Sequence, residues 1–306
     1  MREQAIRSEG GVGEARAGPG AGGRAAAGSW RDELNDIVRA VSGAFLFAVP
    51  LLFTMEMWWI GVSTDGRKLL VFLLVAFVVA FGLARSRSGG FKEDTDLFGA
   101  LEQAVDVVAV GLVAAAVVLL VLNRIQPGEP LAAVLGKIVV QAVPLSVGAS
   151  VATAVFGRRG DQSRQGDEAE AAVGDAGGEL RADLGATVVG AVFVSLAIAP
   201  TEEIPMLAAG LDLPHALALV ALTLLVSYAI VFASGYGDGP SRQPGPFQHP
   251  ATETAFAYVV ALVVALGALL LFDQAKPGDP LGHVLTMTLV LGLPAAIGGA
   301  AGRLVA

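Results

Sequence analysis

Apolar and polar residues fall into long alternating blocks along this chain. Eight blocks carry little charge: about Asp36 to Ile60, Leu69 to Ala84, Leu97 to Leu122, Leu131 to Phe156, Leu184 to Ala209, Ala216 to Gly235, Thr252 to Phe272 and Leu281 to Leu304. At about 1.5 Å per residue, helices of such length cross a hydrocarbon core of roughly 30 Å. Backbone polar groups find no water inside lipid, so an apolar run must satisfy them internally, as a helix does. The runs are too long and too continuous for barrel strands. The pattern predicts an all-α polytopic membrane protein with about eight transmembrane helices.

The polar stretches divide the chain. Residues 1–34 are rich in Gly, Ala, Arg and Glu, and predict a disordered cytoplasmic tail without the early apolar region of a signal peptide. Residues 157–182 carry Arg158, Arg159, Asp161, Arg164, Asp167, Glu168 and Glu170, and read as a polar cytoplasmic linker between membrane units 35–156 and 183–306. The two units share features in the same order. Gln126-Pro127-Gly128-Glu129-Pro130-Leu131 matches Lys276-Pro277-Gly278-Asp279-Pro280-Leu281, and Pro144 and Gly148 match Pro294 and Gly298 at the same offset. Gly43-Ala44 precedes Thr54-Met55-Glu56-Met57 as Gly190-Ala191 precedes Thr201-Glu202-Glu203-Ile204. Such self-similarity marks internal duplication. Four spans per half is an even number, so both halves enter from the same side. The expectation is two parallel four-helix repeats about an axis near the membrane normal. Spans four and eight, rich in small residues from Ser146 to Ala154 and from Ala295 to Gly302, are expected to form a tightly packed pseudo-symmetric centre.

Composition narrows the function. The chain is 54% hydrophobic and only 16% charged, against roughly 25% charged in soluble domains. Lys and Arg total 20 and form no basic–aromatic patch, so nucleic acid is not an expected partner; the lipid bilayer is. With no Cys, disulfides, thiolate metal sites and a Cys nucleophile are excluded. His215, His249 and His283 lack metal-ligand spacing, and no cofactor is implied. All Lys and Arg except Arg67, Lys68, Arg124, Lys137 and Lys276 lie in the N-terminal segment, the 2–3, 4–5 and 6–7 connections or the C-terminal end. The positive-inside rule then predicts a cell-membrane protein with both termini cytoplasmic and the two Pro-Gly connections outside. Trp30 and the Trp58-Trp59 pair fit interfacial aromatic belts.

Ionisable groups inside a span are expensive and mark paths or pairs. Glu56, Glu202, Glu203 and Lys137 fall roughly 7–12 Å outward of the midplane, and Glu102 lies roughly 12 Å inward with Asp106 somewhat less. The outer group suggests an ion or proton site made of Glu56, Glu203 and Glu202 with Thr54 and Thr201, in which Lys137 approaches Glu56 or Glu203. Pro200 and Pro205 bracket the paired glutamates and break the fifth span. The same residues can also serve only to lock the halves together. Glu102 and Asp106 share one helix face and suit an inner proton relay or a solvated vestibule.

The run Ala199 to Ile204, the span-three carboxylates and the stretch Gly136-Lys137-Ile138-Val139 with Gln141 to Ser150 resemble an uncharacterised family of prokaryotic integral membrane proteins over nearly everything after the tail. That resemblance implies a membrane fold and no activity. Glu202-Glu203 is also similar to the paired glutamates of the CAAX-type intramembrane proteases. That motif places an Arg three residues beyond the pair, and here Ile204, Pro205, Met206 and Leu207 follow. The expected function is therefore a proton- or cation-coupled transporter or channel-like protein for an ion or small solute. The alternatives are a non-catalytic scaffold or accessory subunit and, third, a metal-dependent intramembrane hydrolase.

Overall fold

The computed structural model describes residues 21–87, 97–166, 176–233 and 250–305. Ten helices follow in order: α1 (Ala21–Leu52), α2 (Met55–Ser63), α3 (Gly66–Arg87), α4 (Leu97–Val121), α5 (Leu131–Gly166), α6 (Ala176–Ile198), α7 (Glu203–Gly210), α8 (Leu213–Tyr228), α9 (Pro250–Leu271) and α10 (Leu281–Val305). A π-helical turn at Ala229–Ala233 continues α8. Seven helices are long and apolar enough to cross a membrane, or up to eight if the bent pair α6–α7 forms one span. The chain is thus all-α with multiple membrane spans.

Helix is more extensive than the polar pattern suggests. α1 starts at Ala21, inside the stretch expected to be a disordered tail, and residues 1–20 lie outside the described residues. Its first turns are Ala-rich, and extending an existing helix costs far less than nucleating one. For the same reason α5 runs to Gly166 and α6 starts at Ala176, so both helices enter the expected 157–182 linker, of which residues 167–175 lie outside the described residues.

Two of the eight apolar blocks are interrupted, and of these only α6–α7 is a bent span pair. Helix α1 ends at Leu52, two residues after Pro50, and the chain passes through Phe53 and Thr54 before α2. Helix α6 ends before Pro200, and α7 leaves it at 92°. A threonine at each break returns its hydroxyl to the preceding turn: Thr54 Oγ1 donates to the Leu51 carbonyl at 2.6 Å and Thr201 Oγ1 to the Ile198 carbonyl at 2.8 Å. The long connections also correspond. Asn123 and Asp273 take left-handed φ of 54° and 56° just past α4 and α9, and Gly128 and Gly278 take φ of 90° and 104° in the Pro-Gly turns. Glycine is the residue that tolerates the latter.

Helix α5 packs against α1, α2, α3 and α4, and α10 against α6, α7, α8 and α9. Each is therefore the hub of its own set, rather than the two forming one shared centre. Glycines set these contacts. A Cβ at Gly148 of α5 would stand 3.1 Å from the Ala44 carbonyl oxygen, and one at Gly298 of α10 would stand 2.5 Å from that of Gly190. On α2, a Cβ at Gly61 would stand 2.6 Å from Lys137 Cα. The two sets meet chiefly where α1 packs against the π turn and α10.

Candidate functional site

The two breaks come together. Glu203 opens α7, and its Oε1 accepts the backbone N–H of Met55, the first residue of α2, at 3.4 Å. A carboxylate at a helix N-terminus meets unpaired N–H groups and the positive end of the dipole. Glu203 is half-buried, whereas Glu56 and Glu202 are exposed. Both threonine hydroxyl donors are spent on their own helices, so Thr54 and Thr201 keep only oxygen lone pairs for anything bound between the breaks. A second link crosses the halves at the far end of α7, where Asn123 Nδ2 donates to the Gly210 carbonyl at 2.7 Å.

Lys137 does not join this group. Its ammonium lies 2.7 and 2.8 Å from the two Glu129 oxygens and 2.6 Å from the Arg124 carbonyl oxygen, which corrects the expected approach to Glu56 or Glu203. Depth along α5 misjudged it because a lysine stem of four methylenes carries the charge up to the connecting loop. The same corner corrects the aromatic belt. Trp59 is exposed, but Trp58 is 3% exposed and carries the Arg124 guanidinium over its ring at 4.7 Å. Burial pulls the Arg124 guanidinium below its ordinary value, and Glu129 opposes that. At the start of α8, the Asp212 carboxyl accepts the His215 N–H at 3.2 Å; its contact with the His215 ring, foremost, holds it below the usual carboxylate range.

Glu102 and Asp106 stand at the opposite end of the first half. Both are exposed and line a cleft of about 740 Å³ between α1 and α4, together with Glu33, Asp36, Arg39 and Gln103. Four carboxylates, those of Glu33, Asp36, Glu102 and Asp106, thus line one cleft.

Sequence reasoning passed over Gln141. It is 0% exposed, and among the described residues neither end of its amide has a hydrogen-bond partner. It shares an α5 stripe with Lys137, Pro144 and Gly148, whose outer and inner ends contact Gly61 of α2 and Ala44 of α1. That stripe brackets the level of the Thr54 break. The signal was legible as a lone amide in mid-span, and an amide was not weighed beside the carboxylates. Among the described residues no three His, Cys, Asp or Glu side chains lie close enough to share a metal ion.

A family model described as putative integral membrane protein (DUF2391), of unknown function, matches residues 36–306. No curated protein and no solved structure matches the chain.

Proposed function

The chain belongs to that family of integral membrane proteins, and from this premise we propose that it is a proton- or cation-coupled transporter or channel-like protein for an ion or small solute. The observation that carries the reading is the Glu203 carboxylate at the N-terminus of α2, where helix breaks within two apolar blocks, one from each half, meet. Interrupted helices at membrane depth are tolerated where they line a cavity or lie buried in protein, and such breaks hold coupling ions in transporters. Glu203 and Glu56 are the carboxylates of this site, with Glu202 beside them. The acidic cleft at Glu102 and Asp106 is its approach from the cytoplasm. We further infer two parallel repeats. The matched turns, breaks and hub helices support this arrangement.

In the proposed orientation, in the cell membrane with both termini cytoplasmic, single cysteines at Gly128 and Gly278 label from outside and one at Gln165 labels only after permeabilisation. Labelling of the two Pro-Gly turns from opposite sides would rule out parallel repeats. Thermal unfolding across pH and a panel of alkali and divalent cations tests the site. Wild type is expected to gain stability with its coupling cation by mass action, about 2.7 kcal/mol at a hundredfold excess over Kd. Glu203→Gln should insert normally and lose that response, and Glu202→Gln should lose less of it. The separately neutralised Lys137 favours the scaffold as second reading. Identical pH and cation responses in all three proteins would establish it over transport.

A further inference from the structure

The second half holds a small, part-open chamber away from the helix breaks. Its walls include Ser227, Val231, Tyr258, Ala296, Ala300 and Arg303. Ser227 lies in the last turn of α8, just before the helix widens into the π turn. Tyr258 of α9 lies beside Gly292 of α10, where a Cβ would stand 3.7 Å from the phenol oxygen. The two residues are 7% and 6% exposed, and among the described residues neither Ser227 Oγ nor Tyr258 Oη has a hydrogen-bond partner. Thr254, on the same wall, already donates to the Pro250 carbonyl at 2.8 Å. The Arg303 guanidinium is bonded to Glu253 and lies 5.7 Å from the Phe232 ring centre.

Buried hydroxyls left dry are costly, and native proteins seldom leave them so. The open space is about 10 Å³, close to what one water molecule needs. We propose that the chamber binds a single buried water, held between Ser227 Oγ and Tyr258 Oη. A water donates and accepts, so it satisfies both hydroxyls whichever way each turns. A cation would face the Arg303 guanidinium, and a halide is larger than the space. The matching register of the first half holds Ala80 and Val108, so the fold itself does not require hydroxyls there. What the second half has in addition is the π turn, which packs against α1. π turns shift the backbone ladder and occur often at functional sites. The water thus sits where α8 changes pitch, at the contact joining the two helix sets.

A double-mutant cycle on the full chain in detergent tests this. Ser227→Ala and Tyr258→Phe should each raise the unfolded-to-folded ratio about fivefold, and the pair by well under the product, because either change releases the same water. Dry hydroxyls give the opposite result: removing either is neutral or stabilising and the effects multiply, which would overturn the proposal. A map resolving ordered water decides independently of how the variants fold. Density in the chamber within hydrogen-bond reach of both oxygens is the expected result. An empty chamber, or a bromide anomalous peak in it, would overturn the water site.

Discussion

A single methyl group at Gly298 is expected to push α6 away from α10 and to cost about 1–3 kcal/mol of stability. The new Cβ would stand 2.5 Å from the Gly190 carbonyl oxygen and 2.6 Å from Val194 Cγ2. The first of these neighbours is backbone and cannot rotate aside. Gly190 and Gly302 face the same seam, so the contact is one run of small residues in which two helix backbones touch. Gly298→Val should therefore prevent recovery of monodisperse protein, while Gly298→Ala should survive with a lowered Tm. Gly148→Ala, in the first half, meets the Ala44 carbonyl and Phe47 Cβ at 3.1 Å and should cost less. Gly82, with nothing within 4 Å of an added Cβ, serves as control. Gly82→Ala should be neutral or slightly stabilising because alanine favours helix. A wild-type Tm for Gly298→Ala would show that α6 and α10 do not approach this closely.

That seam illustrates what hydropathy encodes. Length and apolar content locate spans, since lipid forces every such run into helix. Small residues reveal where helices approach, and Gly148 and Gly298 were readable for that reason. The partner was not readable: small residues at spans four and eight say nothing about whether those helices face each other or the rest of their own halves. Pro200 and Pro205 announced the break in the fifth span, because a missing N–H frees a carbonyl wherever proline falls within a helix; Pro50 carried the same signal in the first block and was passed over. The 92° turn of α7 depends on packing against α10 and lies beyond local sequence. Polarity argues against burial and not against helix; Ala-rich and charged turns extend a helix at little cost, which is why α1, α5 and α6 reach into the polar stretches.

At the candidate site, sequence depth put Glu203 level with Glu56, and in the structure its carboxylate meets the N–H of the neighbouring Met55. Depth failed for Lys137 because it measures where a Cα lies, and a lysine charge sits several ångströms further on. It also ignored Glu129, which belongs to a connection rather than a span. Gln141 escaped because an amide has no charge and costs less to bury, although its two open ends make it as informative as a carboxylate.

Lys137→Met tests the reassigned ion pair. Met287 occupies the matching register of α10 at 0% exposure, so the side chain fits a hub helix of this kind. Removing the ammonium takes away Glu129's bidentate partner and the donor to the Arg124 carbonyl. Breaking one side of a buried pair costs about 3–5 kcal/mol. The Glu129 side chain is 27% exposed, and with solvent screening of that carboxylate we expect about 2–3 kcal/mol. Lys137→Met with Glu129→Gln should recover most of the loss, because no uncompensated charge remains near the span. Lys137→Met with Glu203→Gln should recover none of it. Unfolding measurements on wild type and these three variants separate the two partners directly. Rescue by Glu203→Gln and not by Glu129→Gln would return Lys137 to the helix breaks and make it a member of the proposed ion site.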